Sequence, residues 1–143
     1  MERAVLLQLG SRITRCVARA REEYASNPDT FAADITRQDA AIMNIVRACS
    51  SALDLGRYVG WKMQLGEPHD LCDVFNVLRD GGWIDAELAD NLQHVVRFKD
   101  KAIRDDLALL WPETVEVITR HLGEFLRYTE AVLQKDDAQG RAR

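Results

Sequence analysis

Apolar residues recur every three or four positions along most of this chain, and this spacing constrains its fold more than any other feature of the sequence. One such segment opens at Ile84 and Asp85 and ends at Asp106. At about 100° per residue, its apolar side chains share one helix face. They are Leu88, Leu92, Val95, Val96, Ala102 and Ile103. The spacing therefore predicts an amphipathic helix that faces a core.

The same reasoning predicts three more long helices and one short one. They cover residues 2–24, 36–65 and 70–79 (the short one), and a last helix from 111 onward. Turn residues separate them, because Pro and Gly end helices. No alternating β pattern is visible, so we expect an all-α fold, an antiparallel up-and-down four-helix bundle with a short extra helix. Residues 1–135 are predicted to form a single domain and 136–143 a flexible C-terminal tail.

Composition narrows the classes of function. The chain has 143 residues and a formal net charge of -4, which argues against nucleic-acid binding through overall charge. Any RNA contact must come from a local patch of Lys and Arg. No apolar run is long enough to cross a membrane and no secretory leader is visible, so a cytoplasmic location is expected. Three cysteines, odd in number and far apart, indicate reduced thiols.

Charged residues interrupt the apolar face of the helix that ends at Asp106. Lys99 and Asp106 fall within the apolar stripe, whereas a basic line of Arg97, Lys101 and Arg104 follows the opposite face. Asp100, four residues before Arg104, is placed as its surface partner. Burying a charge is costly unless the charge is paired or used, which makes Lys99 and Asp106 candidates for function. The alternative is that Lys99 lays its methylene groups along the core edge and keeps its ammonium in water.

The sequence offers little support for a metal site or a nucleophile. His69 and Cys72 have ligand-like spacing, but two ligands are too few for a closed site. His94 and His121 lie at the edges of their helices and are expected at the surface or its boundary. We therefore expect no metal and no cofactor.

Three stretches, residues 36–55, 65–92 and 95–106, resemble the HepT family of HEPN-domain toxins. Members of that family are encoded beside a minimal nucleotidyltransferase antitoxin. The resemblance implies an all-helical bundle that forms a homodimer, with two copies of the late helix facing each other across a cleft. It also implies a metal-independent endoribonuclease lineage and a nucleotidyltransferase partner.

The family motif is Arg-x4-His-x-Tyr after a phenylalanine, and here all three motif residues differ. Aligned through Phe98, the catalytic positions hold Lys99, Arg104 and Asp106. The family histidine is expected to move a proton, which Arg104 cannot do because a guanidinium stays protonated. Asp106 has no phenol to receive a nucleotidyl group, the modification implied for the tyrosine of some members. The resemblance assigns RNA binding to Arg97, Lys99, Asp100, Lys101 and Arg104.

Three hypotheses follow from these residues. The first is a HepT-like toxin component whose ribonuclease activity is weakened or lost with the motif. The second is a noncatalytic helical dimer that binds a nucleotide or docks a nucleotidyltransferase partner. The third is a dimerisation scaffold in which the motif residues only form ion pairs.

Overall fold

The computed structural model describes residues 1–104 and 111–142, most of them helical. In chain order the helices are α1 (Arg3–Ala25), α2 (Ile35–Lys62), α3 (Asp73–Asp80), α4 (Ala86–Arg104), α5 (Trp111–Glu116) and α6 (Leu122–Ala142). A 3₁₀ turn, Pro28–Ala33, links α1 to α2, and a π-helical turn, Val117–His121, links α5 to α6. The all-α prediction is confirmed. None of the described helices combines the length and apolar character that crossing a membrane requires.

The long helices alternate in direction, as the sequence predicts. The backbone N–H of Glu2 donates to Tyr58 Oη at 2.9 Å, so α1 begins where α2 ends. Arg3 Nη1 lies 2.9 Å from carboxylate oxygens of both Asp136 and Asp137, so α1 also begins beside the last turns of α6. Helix α4 packs against both α2 and α6. The result is the up-and-down bundle, with α3 as the short extra helix between α2 and α4.

Two aromatic side chains tie the short helix and the last helix to the core. The rings of Phe75 and Tyr128 meet edge to face, with centroids 5.6 Å apart, and both side chains are fully buried. The Tyr128 hydroxyl donates to the carbonyl oxygen of Ala52 at 2.7 Å. Close to this contact, α2 approaches α3 at Gly56, where a Cβ atom would lie 2.6 Å from Val74 Cγ1. Glycine therefore permits the close approach of α2 to α3.

Side-chain chemistry and position in the sequence predict Asp85 as the N-cap of α4 and Thr36 as the N-cap of α2, and the structure confirms the first cap but not the second. Asp85 caps α4 as expected, since its Oδ1 accepts from the N–H of Leu88 at 2.8 Å. Helix α2, by contrast, is capped by Asp34 and not by Thr36, because the Asp34 carboxylate accepts from the N–H of Arg37 at 3.1 Å. The earlier acidic residue reaches the free N–H groups of the first turn.

Two other predictions concern the ends of α4 and α6. Ile103, predicted on the apolar face, is 63% exposed, so this prediction was wrong for the last turn of α4. Residues 136–142, assigned to the tail, continue α6 as helix, and Asp136 and Asp137 pair with Arg3. The division into a domain and a flexible tail stays a prediction.

Candidate functional site

The motif positions on α4 have contrasting environments. Lys99 lies in the apolar stripe and is buried, as its place in the sequence pattern predicts. Arg104, five residues later, is exposed at the end of the helix. Asp106 lies outside the described residues. The two cations that the sequence analysis placed in one site are therefore presented differently, one to the interior and one to solvent.

Lys99 is held by the neighbouring carboxylate. Its Nζ lies 3.1 Å from Asp100 Oδ1, and the two side chains are 11% and 42% exposed respectively. Arg104 was the predicted partner of Asp100, but the Asp100 carboxylate pairs with Lys99. Arg104 Nε donates instead to the backbone carbonyl oxygen of Asp100, at 3.2 Å. The carboxylate pairs with Lys99 because a buried ammonium is stabilised more by a neighbouring carboxylate than an exposed guanidinium is.

Two thiols share the surroundings of this ion pair. Cys49 of α2 is fully buried, and its Sγ lies 3.8 Å from the carbonyl oxygen of Val95. Burial raises the pKa of Cys49 to about 12, although the Lys99 ammonium acts to lower it. Burial also raises the pKa of Cys72, against the charge of Arg97. Both thiols are therefore protonated at neutral pH and are poor nucleophiles.

The exposed cations of α4 border a groove of about 330 Å³ between α4 and α5. It is lined by His94, Arg97, Phe98, Lys101, Glu113, Glu116 and Val117. Lys101 Nζ lies 2.8 Å from Glu113 Oε1 across this groove. Arg97 and Lys101 are exposed, as the predicted basic line requires. The groove can attract an anion. Guanidinium and ammonium groups such as those of Arg97, Lys101 and Arg104 have no acceptor for a proton and therefore do not act as a general base.

His94, which lines this groove, contacts His121, and sequence reasoning missed this histidine pair. His94 is exposed and His121 half-buried, as expected for residues at the edges of their helices, yet their rings are only 4.8 Å apart. Glu116 Oε1 lies 3.9 Å from His121 Nε2. Burial lowers the pKa of His121, the charge of His94 lowers it further, and Glu116 and Glu124 act in the opposite direction. The three side chains are acid-base groups at a position that the motif does not predict.

A second groove, of about 620 Å³, separates α1 from α2 on another face. Arginines dominate its lining; they are Arg12, Arg15 and Arg19 of α1 and Arg47 of α2. Asp54 at its edge pairs with Arg57 at 3.5 Å. The sequence shows arginines on the polar side of the first helix, but their convergence with Arg47 depends on how the two helices pack.

Comparison with known proteins identifies relatives that share this fold. The profile of the family described as HepT-like ribonucleases matches residues 13–132. The mRNA nuclease HepT of Shewanella oneidensis is 28% identical over 128 residues, which cover 90% of this chain and 96% of that protein. The match therefore spans nearly the whole of both chains.

Solved structures agree with the sequence match. A toxin-antitoxin complex crystallised with AMP-PNP contains a chain that is 27% identical with a TM-score of 0.86, covering 92% of this chain and 98% of that one. The tri-AMPylated HEPN toxin of Shewanella oneidensis, in complex with the MNT antitoxin, is 27% identical with a TM-score of 0.85, covering 94% and 99% respectively. The chain belongs to the HepT-like ribonuclease family.

Proposed function

We propose that this chain is the HEPN toxin component of a toxin-antitoxin pair whose other member is a minimal nucleotidyltransferase. The observation that carries the proposal is the family match over residues 13–132. The relative from Shewanella oneidensis is named an mRNA nuclease, and a similar solved structure is a HEPN toxin bound to an MNT antitoxin. Both matches span nearly the full length of the relatives, which supports the proposal that this chain pairs with a nucleotidyltransferase in the same way.

We propose further that RNA cleavage by the family mechanism is strongly reduced. The motif positions hold Lys99, Arg104 and Asp106 in place of Arg, His and Tyr. Without the histidine there is no group of suitable pKa at that position, and losing a general base costs about 10²–10⁴ in rate. Burial of Lys99 beside Asp100 supports the same conclusion, because a buried, paired ammonium is poorly placed to hold a phosphate.

Loss of the tyrosine bears on how the partner controls the chain. The similar toxin of Shewanella oneidensis is tri-AMPylated. At the position of the family tyrosine this chain has Asp106, whose carboxylate would form only a labile mixed anhydride with a nucleotide. We propose that the partner here acts by binding, without a stable nucleotidyl transfer to this position.

We propose that the chain is a homodimer, with two copies of α4 facing each other. Ile103 supports this, since it is 63% exposed beside Arg104 at the end of α4. Trp111, at the start of α5, is also an exposed large apolar residue. Exposed apolar residues next to charged ones suit an interface with a polar centre. A molar mass near twice 16.2 kDa in solution is the expected result.

A noncatalytic role is the second candidate, and the exposed cations beside the α4–α5 groove favour it. Arg97 and Lys101, which line the groove, and Arg104, exposed at the end of α4, offer donors for phosphate oxygens. Such a module would bind a nucleotide or dock the nucleotidyltransferase and would leave RNA intact. Nucleotide affinity that falls in Arg97→Glu, in a protein that does not cleave RNA, would support this candidate.

Two measurements on the purified chain test the proposals separately. Co-expression with the nucleotidyltransferase encoded beside it should yield a stable complex on size-exclusion chromatography, and failure to form one would contradict the pairing. The chain alone, incubated with total RNA, should leave it essentially intact. Rapid cleavage that Lys99→Ala or Arg104→Ala abolishes would contradict the loss of catalysis, with Arg57→Ala, on the exposed surface of α2, as the control variant.

A further inference from the structure

Two histidines and a glutamate converge at the end of the α4–α5 groove. His94 comes from α4, Glu116 is the last residue of α5, and His121 ends the π-helical turn that joins α5 to α6. One nitrogen of each imidazole and one carboxylate oxygen lie within 4.8 Å of one another. Two imidazoles and a carboxylate are ligands that late first-row transition metals accept in proteins.

The π-helical turn is what aligns Glu116 with His121. On a regular α-helix, residues five positions apart point about 140° away from each other. Here the backbone N–H of Leu122 donates to the carbonyl oxygen of Val117, five residues earlier, so the turn is wider by one residue. The wider turn brings Glu116 and His121 to the same side of the helix, facing His94. Such turns are rare and often mark functional positions.

We propose that His94, Glu116 and His121 bind one divalent transition-metal ion of the Zn²⁺ or Co²⁺ class. In the tetrahedral geometry typical of Zn²⁺, ligand atoms at about 2.0–2.2 Å from the ion lie about 3.3–3.6 Å from one another. The three ligand atoms here lie within 4.8 Å of one another, so binding requires the widest separation to contract by roughly 1.2–1.5 Å. His94 and Glu116 are exposed, so rotation of their side chains can supply it without movement of the backbone.

The charges around the cluster determine what completes the coordination. Three protein ligands leave at least one position open, as in sites that bind water or a substrate. His94 and Glu116 line the α4–α5 groove, so a further ligand of the ion would enter from the groove. Arg97 and Lys101 also line the groove and disfavour a bare cation, but they favour an anionic further ligand such as hydroxide or phosphate. The arrangement thus fits a metal ion whose further ligand is an anion held in the groove.

This inference uses none of the motif positions and does not depend on the proposed toxin function. The competing interpretation is a pair of surface histidines whose rings merely contact each other, as their tilted arrangement allows. The two interpretations differ in one measurable respect. A contact pair has no reason to bind a metal ion with a fixed stoichiometry, whereas a three-ligand site does.

The test uses the full chain without an affinity tag, after treatment with EDTA. Zn²⁺ is titrated by calorimetry, and Co²⁺ by its visible absorption. We expect one equivalent per chain, with affinity at least tenfold lower in His94→Ala and in His121→Gln, and a smaller loss in Glu116→Gln. His69→Ala is the matched control, because His69 is the third histidine of the chain, is exposed and precedes α3. Its affinity should equal that of the natural chain.

Several results would overturn the proposal. They are an absence of saturable Zn²⁺ binding, an equal loss in His69→Ala, and a thiolate-to-cobalt absorption band that places the ion on a cysteine. Circular dichroism checks that each variant is folded. If His121→Gln disturbs the half-buried turn, His94→Ala decides the question, since it changes an exposed side chain of α4.

Discussion

Replacing Lys99 and replacing Asp100 should have unequal effects on stability, although the two side chains form one ion pair. The Lys99 side chain is 11% exposed and its Nζ lies 3.1 Å from Asp100 Oδ1. In Asp100→Asn the ammonium stays buried and loses its counter-charge. In Lys99→Met the aliphatic stem keeps its packing, and the cost of removing a charge from water disappears. We therefore expect Asp100→Asn to be the more damaging change, although it alters the more exposed residue.

The magnitudes follow from the burial of the two groups. Breaking a fully buried pair costs about 3–5 kcal/mol. Asp100 is 42% exposed, so solvent screens the interaction, and we expect Asp100→Asn to lower the free energy of unfolding by about 1–2 kcal/mol. Lys99→Met should change it by less than about 1 kcal/mol in either direction, because a hydrophobic residue of similar volume replaces a buried charge at little or no cost.

Urea unfolding followed by circular dichroism measures both variants. Asp54→Asn provides a matched control, since Asp54 pairs with Arg57 at 3.5 Å and those side chains are 55% and 49% exposed. An exposed pair of this kind contributes about 0–1 kcal/mol. The reasoning would be refuted if Lys99→Met destabilised the protein by more than about 2 kcal/mol while Asp100→Asn matched the Asp54→Asn control.

Three further predictions concern the core. Tyr128→Phe removes the hydrogen bond to Ala52 and should cost about 1–1.5 kcal/mol in urea unfolding; an unchanged midpoint would contradict its role. Gly56→Ala should cost about 1–2 kcal/mol, because overpacking against Val74 at 2.6 Å outweighs the gain in helix propensity; a stabilised variant would contradict the close approach. Cys49, fully buried with its pKa raised to about 12, should resist a thiol-specific reagent until the chain unfolds, while half-buried Cys16 reacts; rapid labelling of Cys49 in the folded chain would contradict its burial.

The helices of this protein follow from its sequence because their signals are local. The spacing of apolar residues predicts α4 and the burial of Lys99, and the position of Asp85 before that run predicts the cap on Leu88. Each of these depends only on residues within a few turns of one another. The up-and-down order then follows from short connections between amphipathic helices.

The site is less predictable, because its contacts join distant parts of the chain. Nothing in the local pattern shows that His94 lies against His121, since that contact depends on the packing of α4 against the segment before α6. The π-helical turn has no sequence signal of the kind that marks a cap. The Asp100 carboxylate pairs with Lys99 and not with Arg104 because the Lys99 ammonium is buried. The sequence pattern indicates this burial only in part.

Restoring the family motif tests most directly the claim that this chain has lost ribonuclease activity through its motif. The variant Lys99→Arg, Arg104→His, Asp106→Tyr is compared with the natural chain on the same RNA, and Lys99→Arg, Arg104→Ala, Asp106→Tyr is the control that lacks the proton-transferring group. We predict that the restored variant cleaves about 10²–10⁴ times faster than the natural chain and that the control does not. Equal rates for the natural chain and the restored variant, at a level well above background, would contradict the account.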